Sequence, residues 1–369
     1  MGGTANSCLT ILDNLPETVE QVYVLMSEKG TLTKAFAERK IPVWVMEYRS
    51  AWTDNNYIAM EDMRREWNNI KCAWKLAKRL QENNIDIVYT NSGIIDVGAM
   101  AAFFAGKRHI WHFREFIHNH FKMKYIFEIK AKFLLRQSDV VVAISKCLLK
   151  ELRKRYHIKN GIVLYNKFDR EKYYIERKNL VSADKMQCLV TGRMYEGKHQ
   201  LDAVKAIGKL IKKYHIPVEL YLVGNGKREY VNKIKNLIKE YGVQEKIHIL
   251  QYEEDMKSLR EQMDIEISCS QWEAFGRVVI EGMLGGLLVV GANSGATAEL
   301  IKHNKNGLLY RPGDADDLAE KLLWIYNHRQ EAKKIAYNGQ KWADKLYTDA
   351  VFGEELENII MRTNRRIKG

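Results

Sequence analysis

The sequence predicts an α/β protein of two domains, each a parallel sheet wrapped by helices, and three observations carry that prediction. Short apolar, β-branched runs alternate with longer stretches of helical periodicity almost throughout, the pattern of strand–helix–strand units. A charged, strand-poor stretch, DREKYYIERKNLVSADKM at 169–186, interrupts that alternation and separates two series of strands. The chain has 369 residues and 46% hydrophobic content, so it exceeds most single domains and can bury two cores.

The opening, MGGTANSCLTILDNL, runs from a glycine pair straight into a helix. A nucleotide-type domain places a strand before that turn. The first strand is therefore expected to be absent, and residue 1 to lie inside a longer natural reading frame. Strands of the first series are expected in QVYVLMS (21–27), PVWVMEY (42–48), IDIVYTN (85–91), RHIWHF (108–113), DVVVAIS (139–145) and GIVLYN (161–166). Between them the helical period marks 62–84 and the cationic stretch FKMKYIFEIKAKFLLRQ at 121–137. The second series is QCLVTGR (187–193), VELYLVG (218–224), KIHILQ (246–251), DIEISCS (264–270) and LLVVGAN (287–293). After about Asp316 the chain reads as helix only, down to the basic tail RTNRRIKG. The boundary near 168–185 gives domains of 1–175 and 176–369.

Charge and cysteine usage narrow the function classes. The net charge is +13, which favours anionic partners: nucleic acid, phosphorylated substrates or a lipid surface. The basic residues are spread over many helices and no zinc-finger, RNP-like or helix-turn-helix pattern is present, which argues against nucleic acid. Cys8, Cys72, Cys147, Cys188 and Cys269 are scattered and form no CxxC pair, so a disulfide framework or a zinc site is not expected and a reducing cytoplasm fits. The longest apolar run, VGAMAAFFAG at 97–106, falls short of the ~20 residues a spanning helix needs.

The chemistry concentrates in QWEAFGRVVIEGMLGG, where Glu273 and Glu281 stand eight residues apart around the entrance of a helix ending at Gly285 and Gly286. Eight helical residues span about 12 Å, wider than the roughly 5 to 9.5 Å of a glycosidase carboxylate pair. The spacing suits the two ends of an elongated ligand, with the amides of Phe275, Gly276 and Arg277 between them, and helix amino termini hold anions such as a diphosphate. Equally open on spacing alone is a Glu273 that merely complements the helix dipole and a solvated Glu281. Upstream, CLVTGRMYEGKHQLDAV delivers Arg193 and Lys198, a planar fork and a point charge, to the turn after a strand. His112 ends the strand RHIWHF beside Arg114 and Glu115, which are either acceptor contacts or a salt-bridged rim. Asn166 in LYNKFD is either a turn former, since Asn tolerates left-handed backbone angles, or a donor-binding cleft residue near the hinge.

These motifs resemble the retaining nucleotide-sugar glycosyltransferases of family 4, and the resemblance covers nearly the whole chain. It is most specific in EAFGRVVIE, similar to that family's glutamate, seven residues, glutamate motif. It extends through GANSGATAELI, NGLLYRPGDADDLAEKL, VTGRMYEGKHQLDAV, SDVVVAISK and VLYNKFD. The resemblance implies the GT-B fold, two Rossmann-like domains facing each other across a cleft. It implies a nucleoside diphosphate sugar donor and a saccharide or lipid-linked saccharide acceptor, as in polysaccharide synthesis. By it Glu273 contacts the donor sugar, Glu281 the ribose hydroxyls, Arg193 and Lys198 the diphosphate, Gly2 and Gly3 form a loop under the phosphates, and His112 lies beside the reacting sugar. It implies no cofactor and no metal, since cations replace magnesium, and a front-face reaction in which the leaving phosphate takes the acceptor's proton. The neighbouring readings are another GT-B enzyme, a sugar-nucleotide epimerase or phosphorylase, and at a distance a basic nucleic-acid-binding protein.

The cationic stretch at 121–137 carries Lys122, Lys124, Lys130, Lys132 and Arg136 among Phe121, Tyr125, Phe127 and Phe133. That mixture suits the anionic inner face of a membrane, and equally an ordinary solvated helix whose aromatics face the core.

Overall fold

The computed structural model describes residues 3–54, 57–116, 123–176, 185–253, 255–347 and 349–364. Its strands are β1 Val24–Met26, β2 Val43–Val45, β3 Trp52–Thr53, β4 Ile87–Thr90, β5 Arg108–Phe113, β6 Lys124–Tyr125, β7 Val140–Ala143, β8 Gly161–Val163, β9 Met186–Thr191, β10 Val218–Val223, β11 Ile247–Leu250, β12 Ile265–Ser268, β13 Leu288–Ala292 and β14 Leu308–Tyr310. The α-helices are α1 Gly3–Leu12, α2 Thr31–Glu38, α3 Met60–Glu82, α4 Val97–Ala105, α5 Glu128–Gln137, α6 Lys146–Tyr156, α7 Arg170–Tyr173, α8 Gln200–Tyr214, α9 Arg228–Tyr241, α10 Met256–Glu261, α11 Arg277–Leu284, α12 Thr297–Leu300, α13 Ala315–Asn327, α14 Arg329–Leu346 and α15 Asp349–Asn364. A 3-10 turn covers Glu196–Lys198.

The chain divides into two compact units, Met1–Lys167 with Asp349–Gly369, and Phe168–Thr348. Unit 1 is built on a four-stranded parallel sheet in the order β4-β5-β7-β8. Its strands are short β-branched runs, and β7, VVVA, is buried along its whole length as a strand covered on both faces must be. β1 and β2 form a separate parallel pair, β3 and β6 a short antiparallel one, and no strand precedes α1 among the described residues. α3 is a long amphipathic helix that buries Cys72, Ala73, Leu76, Ala77 and Leu80 at helical spacing. α6 starts where Ser145 Oγ accepts from the Leu148 amide, a standard N-cap.

Unit 2 holds six parallel strands in the order β11-β10-β9-β12-β13-β14, the doubly wound arrangement that reverses beside its first strand. Its core gathers Cys188, Val190, Leu220, Leu222, Ile265, Ile267, Val290 and Tyr310 from the sheet against Ala203, Ile207, Leu318 and Leu322 of the helices. α13 begins at Asp314, whose carboxylate accepts from the Asp316 and Asp317 amides.

Two features differ from the sequence reading. α15 does not stay with the second domain: Phe352, Leu356, Ile359 and Ile360 pack with Ile11, Ile110, Val140, Val142 and Leu164 of unit 1. Its apolar stripe finds its burial there, and the observed division falls after Lys167 rather than near residue 175. The cationic stretch is not one helix. Phe121 and Lys122 lie outside the described residues, Lys124 and Tyr125 form β6, and only Glu128–Gln137 is helical. Tyr125 is 2% exposed because its ring packs edge-on against Trp52, its partner on β3. Lys130 is no surface charge: its ammonium pairs with Glu66 of α3 and, at 2.6 Å, with Asp96 at the start of α4.

Candidate active site

In unit 2 the carboxyl ends of the strands carry the expected groups. β9 runs into Gly192, at φ +128°, and β10 into Gly224, at φ +143°. The two turns touch: a Cβ on Gly224 would lie 2.3 Å from the Gly192 carbonyl oxygen, so only glycine lets these backbones approach. The crossing continues as Met194 pairs with Gly226 and donates its amide to the Asn225 carbonyl at 2.8 Å. Arg193 is exposed at this edge, and the 3-10 turn that follows brings Lys198 back toward the sheet.

Lys198 Nζ donates to Glu273 Oε2 at 2.5 Å, which joins the two motifs that the sequence separates by 75 positions. Both side chains are mostly buried. Burial pulls the Lys198 ammonium down, but the Glu273 carboxylate more than offsets this and the pKa ends above its ordinary value. Glu273 lies in the turn before α11, not in the helix. Its carbonyl accepts from the Ala296 amide at 2.8 Å, and its backbone is so close to Gly295, at φ +52°, that a Cβ there would meet it at 2.6 Å. The glutamate is thus fixed by backbone contacts. Gly276, at φ +84°, is the N-cap of α11, and no side chain among the described residues caps the helix start. The Phe275 ring is 3% exposed and packs on Phe168 and Tyr347, so what it offers a ligand is its backbone.

Glu281 is not solvated. Its Oε2 accepts from Arg260 Nη2 at 3.0 Å and its Oε1 from Arg277 Nη2 at 3.2 Å. Arg277 also reaches the Tyr173 hydroxyl at 3.3 Å and lies over the Phe168 ring. Arg260 is 2% exposed and donates through Nε to Glu266 Oε2 at 3.2 Å, while the Thr191 hydroxyl donates to Glu266 Oε1 at 2.7 Å. Burial pushes the Glu266 carboxyl up to about 7, against the pull of Arg260 and Thr191. Arg260, Glu266 and Thr191 were not singled out from the sequence. An Arg inside LREQM reads as surface, and only the glutamate within the apolar strand DIEISCS hinted at a buried charge that needs a partner.

In unit 1 the carboxyl edge of the sheet holds a second cluster. Arg114, 8% exposed, donates through Nε to Asn91 Oδ1 at 2.6 Å and through Nη1 to Asn166 Oδ1 at 2.8 Å. Its Nη2 lies 3.3 Å from His112 Nδ1, and the Tyr89 hydroxyl lies 2.6 Å from the same nitrogen. A guanidinium only donates, so Nδ1 accepts and the ring proton sits on Nε2. That Nε2 is buried and meets no hydrogen-bond partner among the described residues. Burial, and then the Arg114 charge, holds the His112 pKa well below its ordinary value, so the ring is neutral. Arg114 and Glu115 are therefore no solvent-exposed rim: Arg114 ties three strand ends together, and Glu115 accepts from Ser92 Oγ at 3.0 Å and from the Gly93 and Arg114 amides at 3.3 Å. Gly2 lies outside the described residues and Gly3 is the first residue of α1, so no glycine loop is described there. No three His, Cys, Asp or Glu side chains among the described residues converge to hold a metal ion.

Comparisons with known proteins agree with this partition. The family model described as Glycosyltransferase Family 4 matches residues 1–172 and that described as Glycosyl transferases group 1 matches residues 172–342. The N-acetyl-alpha-D-glucosaminyl L-malate synthase of Bacillus anthracis is 26% identical over 223 residues, covering 58% of this chain; the chain spans 57% of that relative's length. A glycosyltransferase of Methanocaldococcus jannaschii is 26% identical over 288 residues, 74% of this chain and 75% of the relative. Among solved structures, HepE of Anabaena in complex with UDP superposes with a TM-score of 0.80 at 21% identity, covering 98% of this chain and 96% of that one.

Proposed function

The chain belongs to the family 4, group 1 glycosyltransferases with the GT-B fold, and on that premise we propose that it moves a sugar from a nucleoside diphosphate sugar to a saccharide or lipid-linked saccharide acceptor, with retention at the anomeric carbon and without a metal ion. The observation that carries the reading is the Lys198–Glu273 pair at the edge where the Gly192 and Gly224 turns cross, with Glu281 held by two arginines on the helix that starts beside it. HepE, of the same fold, has been solved with UDP and with UDP-glucose, which supports a nucleotide-sugar donor here.

In this reading Glu281, its carboxylate oriented by Arg260 and Arg277, accepts from the ribose hydroxyls. The α11 amides, Arg193 and Lys198 receive the diphosphate. The bond from the anomeric carbon to the leaving phosphate oxygen breaks, the acceptor oxygen bonds to the same face, and its proton passes to the departing phosphate. Charge grows on that phosphate, so each fixed donor contributes about 2.7 to 4 kcal/mol toward the transition state. Glu273 holds the sugar hydroxyls and keeps Lys198 in place before the donor arrives. In unit 1 the neutral His112 presents an Nε2–H to a sugar hydroxyl, and the Arg114 ties to Asn91 and Asn166 fix the strand ends around it. A lipid-linked acceptor would bring a cytoplasmic enzyme to the anionic face of a membrane, which suits the +13 charge.

A thermal-shift panel of nucleoside diphosphates and their sugars tests the reading, because only a ligand of the native state raises Tm. One base should stand out, turnover should survive EDTA, and the product should keep the donor's anomeric configuration by NMR. No shift with any of them, or turnover lost to EDTA and restored by magnesium, would overturn it.

A further inference from the structure

Three helices of unit 1 share an outer face that carries apolar rings into solvent. On their inner side α3, α4 and α5 are locked by Lys130 between Glu66 and Asp96, both essentially buried. On the outer side a row of rings crosses all three: Trp74 of α3 stacks on Phe104 at 4.5 Å, Phe104 meets Phe103 of α4, and Phe103 meets Phe133 of α5 edge-on at 5.1 Å. Trp67, two turns before Trp74, and Ile129, one turn before Phe133, lengthen the row along their helices. These are not recessed side chains. Trp67 is 58% exposed, Trp74 60% and Ile129 86%.

Cations border the same face. Among the described residues Lys78 is offset by Glu82 and Lys132 by Glu128, while Arg64, Lys71, Lys75 and Arg136 pair with no acid and form the surplus. Lys71 holds its ammonium over the Trp67 ring at 5.3 Å, an aromatic body and a charged head on one patch of surface. Rings with interleaved cations on a face braced from within match the headgroup boundary of an anionic bilayer, where the rings leave water and the cations meet phosphate.

We propose that this face of unit 1 docks the protein on an anionic lipid bilayer, with Trp67, Trp74, Phe103, Ile129 and Phe133 at the headgroup–acyl boundary and the surplus cations on the phosphates. The proposal rests on the membrane side of the reading above and moves the contact from the 121–137 stretch to three helices. It does not depend on the donor chemistry.

The test is sedimentation of the full chain with vesicles of phosphatidylcholine, with and without phosphatidylglycerol. Wild type should pellet with the anionic vesicles alone and be released by high salt. A Trp67→Ser, Ile129→Ser, Phe133→Ser variant should lose about tenfold or more in partition, and Lys71→Glu, Lys75→Glu a similar amount. Both should keep the Tm rise with nucleoside diphosphate, which reports unit 2. Brominated lipid should quench wild-type tryptophan fluorescence, and less so in Trp67→Phe, Trp74→Phe, which guards against a misfolded triple variant. If wild type stays in the supernatant with anionic vesicles at low salt, the docking face and the membrane side of the functional reading both fall. If wild type pellets and both variants pellet equally well, the face is wrong although the membrane contact stands. If the apolar variant instead abolishes a dimer seen by ultracentrifugation and leaves lipid binding intact, the face is a subunit interface and the proposal is overturned.

Discussion

Arg260 is the residue on which the buried charge network of unit 2 turns. It is buried, it cannot lose its proton, and it divides one charge between Glu266 and Glu281. Arg260→Met keeps the volume and removes the bridge; the expected outcome is a loss of about 3 to 5 kcal/mol in stability, as for a broken buried pair. Donor KM should rise more than kcat falls, because Glu281 is disoriented in ground and transition states alike. A fall in kcat with donor KM unchanged would show that Arg260 does not act through Glu281 on donor binding. Glu266 makes a pH prediction. Its folded pKa of about 7 lies above the ordinary 4.5, so its stabilising effect is complete below about 4.5 and is lost as pH rises through 7. Relative to Glu266→Gln, wild type should lose up to about 3 kcal/mol between those limits in denaturant titrations. Parallel stability curves would mean that the carboxyl is ionised throughout.

At the scale of elements, the strand series was legible because buried parallel strands are short β-branched runs, and QCLVTGR, VELYLVG and DIEISCS each became one. β14 escaped because Leu308–Tyr310 is three residues in a loop-like context, and β3 and β6 because two-residue strands exist only by pairing across the chain. The 121–137 stretch read as one cationic helix since lysines in a helical period default to solvent, and nothing local reveals that Lys130 has two buried acids to meet. The resemblance set Glu273 on the donor sugar and Lys198 on the diphosphate but not against each other, and both their pairing and the Arg260 clamp are tertiary. The crossing of the turns after β9 and β10 was visible only as two glycines. Gly224→Ala should cost several kcal/mol, because the added carbon meets the Gly192 carbonyl and the φ of +143° suits no L side chain. Thermal unfolding at near wild-type Tm would show that the two turns can separate.

For the whole molecule, α15 closes unit 1 although it follows unit 2 in sequence, which adjacency along the chain could not reveal. Leu356→Ala, fully buried there, should cost about 2 to 5 kcal/mol and lower the unfolding temperature of unit 1, while the affinity of unit 2 for nucleoside diphosphate stays the same. A change in that affinity would mean the units are not independent in donor binding. If unit 2 grips the two ends of a nucleoside diphosphate sugar, as proposed, calorimetric titration of the best nucleoside diphosphate separates wild type from Glu281→Ala. A drop of about tenfold or more in affinity, with the fold intact by circular dichroism, is the predicted result. Equal affinity in the two proteins would contradict it, and would put the nucleotide somewhere other than the helix that carries Glu281.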